Sequence, residues 1–364
     1  MKITAIEIGK IAIPLKTPFI TALRRVDVAE DLVVKVHTDD GYTGYGNAPA
    51  TVVITGDSHQ SVAAAIKYTI GPKLIGRDID DREDILETIH QSMVHNTSAK
   101  AALDMAVHDL FGQRYGLPLY RFFGGRKTRI ASDLTISVNA PDTMASDAVQ
   151  AVSRGYSHLK LKVGIDPAMD FQRVAAIRKA VGPDVTIRLD ANQGWKPKEA
   201  IRLIGRMEDA GLAIELVEQP VAAADFDGLK QVTDHVATDI MADESAFSPR
   251  DVFRLLAMRV CDLINIKLMK AGGLAPAAQI AAMADATGVA CMMGCMLESK
   301  VGITAAAALS AGKAVITKND LDAADLMAAD PVQGGITYDK DHLVVPDAPG
   351  LGITAIDGWL PLKD

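Results

Sequence analysis

Apolar and polar positions change rhythm once along this chain. The first 125 residues open with strand-like alternation over Ile3–Ile13, Leu32–Thr38 and Gly44–Asn47, with Asp39-Asp40-Gly41 as a hairpin turn signal. Helical spacing follows over Ser61–Ile75, Asp81–Met93 and Ser98–Tyr115. The last of these places Ala101, Leu103, Ala106 and Leu110 at helical intervals and stops at Gly116-Leu117-Pro118. Strands and then helices predict an α+β module, ending near Gly124-Gly125-Arg126-Lys127. Beyond it, short apolar strands recur near Leu134–Val138, Leu159–Val163, Thr186–Leu189, Ile214–Val217, Asp239–Ala242, Leu263–Leu268, Val289–Met293 and Ala314–Thr317. A helical stretch such as Pro197–Ala210 or Pro276–Thr287 separates each pair. This alternation predicts an α/β protein built on a (β/α)8-type barrel. A doubly wound open sheet is the alternative, but no Gly-x-Gly-x-x-Gly follows a strand and there is no Walker A sequence. The expected division is a capping α+β domain over 1–125, a catalytic barrel over 126–328, and a C-terminal segment, 329–364, with a hairpin-like Ile336–Val345 packing back on the cap.

Composition narrows the partners. Of 364 residues, 49% are hydrophobic and 23% charged, enough for a large core. A net charge of -8 argues against nucleic acid and against a polybasic membrane anchor. The basic clusters Arg24-Arg25 and Arg126-Lys127-Thr128-Arg129 read as solvated surface. Cys261, Cys291 and Cys295 form no Cys-x-x-Cys, so neither a disulfide framework nor a structural zinc site is expected. Met1–Ile6 alternates like a strand rather than a leader, and no apolar run nears the roughly 20 residues needed to cross a bilayer. The expectation is a cytoplasmic protein with a small-molecule partner.

Active sites of such barrels form at the C-terminal ends of the strands. Asp190, Glu218 and Asp243 end three successive strands, at spacings of one βα repeat. Each alone could cap the helix that follows; three converging carboxylates would repel one another unless a cation held them, and oxygen ligands select Mg2+. Lys160 and Lys162 stand two apart on the second strand and so share its inner face. Their mutual repulsion and a nearby metal are expected to depress their pKa values, as a base near neutral pH requires. Lys267, on the sixth strand, faces them across the ring. Two bases flanking one carbon would take a proton from one face and return one to the other, while the cation neutralises the charge of an enediolate.

These residues resemble the enolase superfamily, muconate-lactonizing subgroup. The resemblance is carried by Lys160-Leu161-Lys162, by Arg188-Leu189-Asp190-Ala191-Asn192-Gln193-Gly194-Trp195, by Glu215-Leu216-Val217-Glu218-Gln219-Pro220, by Met241-Ala242-Asp243-Glu244-Ser245 and by Asn265-Ile266-Lys267-Leu268-Met269-Lys270-Ala271-Gly272-Gly273. It runs over nearly the whole chain. It implies Lys162 and Lys267 as catalytic bases, Asp190, Glu218 and Asp243 as Mg2+ ligands, and Lys160 as a substrate contact. Asp320-Leu321-Asp322, at the end of the eighth strand, is similar to the Asp-x-Asp motif of dipeptide epimerases, where the pair would hold a substrate ammonium across the mouth from the metal. Thr21–Arg24 and Ile54–Asp57 resemble the specificity loops of epimerases acting on L-Ala-D/L-Glu. That likeness implies Arg24 on a glutamate side chain, with Thr135, Met296 and Leu297 lining the pocket. A homo-oligomer serving cell-wall peptide recycling is the implied setting. Epimerases of hydrophobic or cationic dipeptides, N-acylamino-acid racemases, cycloisomerases and a non-catalytic peptide-binding barrel are the alternatives. His90, His95 and His108 read as packing or surface residues, and Cys291 and Cys295 as small core residues.

Overall fold

The computed structural model describes residues 1–362. Two long strands, β1 (Ile3–Ile20) and β2 (Arg25–Thr38), pair antiparallel from Ile3↔Thr38 to Ile20↔Arg25, and β3 (Thr43–Pro49) adds to β2. Both long strands run well past their apolar cores. Residues 14–20 and 25–31 include Pro14 and several charges, which hide a strand from pattern reading, yet they pair at Pro14↔Val28, Phe19↔Val26 and Ile20↔Arg25, with an irregularity between in which Leu15 bridges to Met327. The expected helix over Ser61–Ile75 is broken instead. An α-helix, His59–Ala64, widens into a π-helical turn over Ala65–Ile70 and tightens again over Gly71–Lys73. Pro72 removes one donor from this stretch, and a Cβ at Gly71 would lie 2.6 Å from the Ile66 carbonyl oxygen.

The helix Thr97–Arg114 crosses this sheet and is buried on nearly every side, because the barrel covers its other face. Gly44 and Gly46 on β3 allow the approach: a Cβ at Gly46 would sit 1.9 Å from the Ala102 carbonyl oxygen. Gly46→Ala is expected to cost about 1–3 kcal/mol, as overpacking against unyielding backbone does. Urea denaturation checks this, and an unchanged midpoint would show that the helix can shift freely.

Eight parallel strands follow in sequence order: β4 (Leu134–Ile136), β5 (His158–Lys162), β6 (Thr186–Asp190), β7 (Ile214–Glu218), β8 (Asp239–Ala242), β9 (Leu263–Lys267), β10 (Ala290–Gly294) and β11 (Ile316–Asp320). No continuous ladder joins the first to the last. The Asp133 N–H donates to the Asn319 carbonyl at 3.1 Å, the Leu321 N–H to Ser132 Oγ at 2.8 Å and the Thr135 N–H to Asp322 Oδ2 at 2.6 Å, which nearly closes the barrel. The last strand lies two residues later than Ala314–Thr317, since Lys318, Asn319 and Asp320 extend it with polar side chains. Leu159, Leu161 and Val163 are fully buried in the helix-facing core. Inside, Leu216, Met241, Leu263 and Met292 form an apolar plug on one side. The other side is polar: Arg188 binds Asp133 at 2.8 Å and Glu215 at 2.6 Å.

The C-terminal residues divide their contacts. The hairpin Thr337–Asp339/His342–Val344 pairs with Arg129–Ala131, at the entry to the barrel, and not with the cap. Further on, Leu360 and Pro361 pair with Lys10 and Gly9 as a fourth strand of the cap sheet, and Trp359 Nε1 donates to the Val33 carbonyl at 3.2 Å. Among the described residues, no helix is long and apolar enough to cross a membrane.

Candidate active site

Five neighbouring strands carry the charged arc. Lys162 ends β5, Asp190 ends β6, Glu218 ends β7, Asp243 follows β8 and Lys267 ends β9. Register sets them level: Lys162 pairs with Asp190, and Asp190 with Glu218. Lys162 Nζ lies 2.5 Å from Asp190 Oδ2, and Lys267 Nζ lies 2.7 Å from Asp243 Oδ2 and 3.8 Å from Glu218 Oε1. The two lysines therefore bracket the three acids. Beneath them Lys160, 1% exposed, reaches Glu218 Oε2 at 2.6 Å, Asp320 Oδ2 at 2.7 Å and Asp190 Oδ2 at 3.1 Å.

At Lys160 the surrounding acids reverse the expected depression. Burial disfavours the Lys160 ammonium, but Asp320, Glu218 and Asp190 outweigh it and push the group up. For Lys267, burial is likewise outweighed, by Asp243 and Glu218, and the pKa rises. Repulsion between cations is the weaker effect because the acids outnumber them. The cost of crowding falls on Glu218, whose carboxyl is pushed up to about 8 by burial and by Asp190.

Metal fit rests on this donor set. Among the described residues, no three His, Cys, Asp or Glu side chains stand ready to grip an ion as they lie. Ammonium groups hold the carboxylates instead, so the expected convergence on a metal is met by lysine. Yet Glu218 Oε2 and Asp243 Oδ1 are buried without a partner in hydrogen-bonding geometry, although Lys160 and Lys270 lie within 2.6 Å and 2.5 Å of them. Three buried carboxylates with two such oxygens suit a hard divalent cation.

Above this arc a narrow cleft opens between barrel and cap, largely apolar on the cap side and charged on the barrel side. Lys162 and Lys267 line it together with Asp320, Asp322, Thr135, Met296 and Leu297. The cap contributes Phe19, Leu23, Arg24, Val53 and Ile54. Lys160 and the three arc carboxylates lie below the lining. Asp320 is nearer the arc than an opposite strand suggests, since Lys160 joins it to Asp190 and Glu218. Burial and the Asp320 charge raise the Asp322 carboxyl to about 7.

The loop between β1 and β2 is a tight turn, with the Thr21 N–H donating to the Arg24 carbonyl at 3.0 Å and the Arg24 N–H to Thr21 Oγ1 at 3.3 Å. It presents Arg24 to the cleft partly buried and, among the described residues, without an ion pair. Arg25, its neighbour, is turned to solvent and bound to Asp27 at 2.9 Å.

Comparison with known proteins decides the family. Residues 3–124 match the mandelate racemase/muconate lactonizing enzyme N-terminal domain, and residues 143–358 match the enolase C-terminal domain-like family. The chain belongs to the mandelate racemase/muconate lactonizing enzyme family of the enolase superfamily. The chain is 52% identical to the L-Ala-D/L-Glu epimerase of Clostridium acetobutylicum, over 98% of this chain and 100% of that one. The substrate-liganded L-Ala-D/L-Glu epimerase of Bacillus subtilis superposes with a TM-score of 0.97 at 51% identity, covering 98% of this chain and 99% of that one. The Enterococcus faecalis dipeptide epimerase, complexed with Mg and L-Leu-L-Tyr, superposes with a TM-score of 0.95 at 41% identity, covering 98% and 100%.

Within this mandelate racemase/muconate lactonizing enzyme fold, several cleft residues escape sequence reading. Phe19 lies at the far end of β1, where its ring centre is 5.8 Å from Lys162 Nζ. Asn192 follows Asp190 with a positive φ of 41°. Cys295 lines the cleft as well as packing against the core, and burial raises its thiol well above the ordinary range, which disfavours the thiolate a nucleophile needs. His90 and His108 do pack, both against buried Asp104 at 3.1 Å and 3.2 Å, and Asp104 in turn accepts from the Leu274 N–H at 2.6 Å.

Proposed function

We propose that this protein is an Mg2+-dependent epimerase of dipeptides, acting on L-Ala-D/L-Glu by moving one proton off and another onto the same α-carbon. The observation that carries the reading is a single cleft lined by Lys162 and Lys267 from strands separated by three others, with an acidic pair on one wall and an unpaired arginine on the cap. Lys162 and Lys267 would stand on opposite faces of the α-carbon, one neutral to take a proton and one charged to give one. A cation held by Asp190, Glu218 and Asp243 would supply positive charge against the negative charge developing on the substrate carboxylate. Asp320 and Asp322 would receive the substrate ammonium, with Thr135 steadying Asp322 through its backbone N–H. Lys160 would keep Asp320 and the arc carboxylates in register from below. Met296 and Leu297 would form an apolar wall beside the backbone of the dipeptide. The relatives at 52% identity support this choice of substrate, and a D-glutamyl dipeptide fits cytoplasmic recycling of cell-wall peptide.

Arg24 carries the specificity. Burial lowers its pKa, so an unpaired guanidinium there gains from a carboxylate. Arg24→Ala is expected to lower kcat/KM for Ala-Glu about ten- to a hundredfold, the worth of roughly 1.5–3 kcal/mol for a charged hydrogen bond. Apolar dipeptides should lose little. Incubating a dipeptide library in D2O and reading masses tests both substrate and chemistry. Deuterium in no dipeptide would overturn the reading, and equal turnover of Ala-Glu and Ala-Leu would move it to a hydrophobic substrate.

A further inference from the structure

A second buried acidic pair lies where the cap meets the barrel. Asp31 on β2 and Glu298 in the loop after β10 are 0% and 2% exposed, and among the described residues neither forms an ion pair. One amide joins them: Asn47 Nδ2, on β3, lies 2.6 Å from Asp31 Oδ2 and 3.4 Å from Glu298 Oε2. The Ser299 N–H donates to Asp31 Oδ2 at 2.9 Å, and the Met296 N–H donates to Glu298 Oε1 at 3.0 Å. Asp31 Oδ1, Asn47 Oδ1 and Ser299 Oγ have no partner in hydrogen-bonding geometry. The helix Lys300–Gly312 seals the cluster, for a Cβ at Gly302 would come within 1.9 Å of Glu298 Oε2.

Two carboxylates sharing one amide in such a place cannot both stay charged without a cation. The proton belongs on Glu298. Asp31 takes two N–H donors at short range, whereas Glu298 has one good donor, which comes from the cavity wall itself. We propose that Glu298 is a positioning residue: protonated, it latches the cap to the Met296–Leu297 wall of the cleft, and its ionisation loosens that wall. The proposal rests on the dipeptide epimerase reading only for the substrate used in its kinetic test.

The charges facing Glu298 agree. Asp31 on β2 and burial push its carboxyl up to about 8, while Lys267 on β9 pulls weakly the other way, from its place on Asp243. Cys295 on the same loop is itself held neutral, and His59 from the cap acts on Asp31, whose own carboxyl burial also raises. Because the folded value lies above the unfolded one, the stabilisation is complete below about 4.5 and is lost as pH climbs through about 8.

The experiment compares wild type, Glu298→Gln, Glu298→Ala and Asp31→Asn between pH 5 and 9.5, with KM, kcat and Tm read separately. If only the protonated latch binds well, wild-type KM for Ala-Glu rises about tenfold by pH 9, in proportion to the lost competent fraction, with a smaller change in kcat. Glu298→Gln, which keeps the shape and a donor but cannot ionise, should hold KM level. Glu298→Ala should raise KM at every pH. Independently of activity, Glu298→Gln should gain Tm relative to wild type as pH rises from 5 to 8, and Asp31→Asn should shrink the wild-type fall in Tm and end it at lower pH. Parallel KM and Tm profiles for wild type and Glu298→Gln would overturn the latch. Absence of turnover with any dipeptide would overturn the proposed function instead, leaving Tm to decide the latch.

Discussion

Lys267→Ala should abolish interconversion of the Ala-Glu stereoisomers while leaving α-proton exchange with D2O for one of them. The cleft places Lys162 on β5 and Lys267 on β9, with three strands between them, so each ammonium approaches a bound α-carbon from its own side. Removing one leaves the other able to take a proton and return it to the same face. Loss of a positioned base typically costs about 10²–10⁴-fold, and no lysine besides Lys162 and Lys267 lines the cleft. Lys162→Ala should show the mirror-image preference. Proton NMR in D2O reads exchange, and chiral chromatography reads inversion, on the same sample. A single variant that still interconverts both stereoisomers at the wild-type rate would show that the two-base assignment is wrong. Each lysine also neutralises a buried acid, Asp190 or Asp243, so Lys→Met at either position separates lost base from a lost ion pair only if Tm is measured beside it.

Chelation should bring activity to background and Mg2+ should restore it, with Asp243→Asn weakening the ion's binding. Asp243 is 1% exposed and faces Lys267 and Lys270, so the asparagine loses a full charge that no neighbour replaces. The loss of affinity should exceed the roughly 10- to 100-fold that follows removal of a group merely orienting a ligand. Calorimetric titration of Mg2+ into the variant reads this without reference to turnover. Full activity of exhaustively chelated protein would sink the metal assignment.

How much of this was legible in the sequence depends on where each residue's position is decided. Asp190, Glu218, Asp243 and Lys267 end barrel strands whose apolar runs are plain, so repeat spacing alone puts them together. Lys160 and Lys162 share a face by strand periodicity. The eighth strand ends later than its apolar run because Lys318 and Asp320 face the polar interior and Asn319 bonds Ser310 of the covering helix, so the segment looks like a loop. Phe19 was missed for the same reason in the cap, where β1 continues through Pro14 to Ile20 because β2 pairs with it. Asp31 and Glu298 are 267 positions apart, and only the docking of cap on barrel joins them. The rise at Lys160 is not legible because sequence shows which charges converge but not which sign prevails at contact distance.

The fourth strand of the cap sheet has a consequence for how the molecule is made. β1 and its turn, with the arginine that would select the substrate, leave the ribosome before any strand of the barrel. Their sheet edge at Gly9 and Lys10 waits for Leu360 and Pro361, some 350 positions later in the chain, while Trp359 closes over Gly9. Until those residues emerge, that edge is an open template for pairing with another chain. Vectorial translation therefore builds the recognition element early and fastens its sheet only after the barrel has been made.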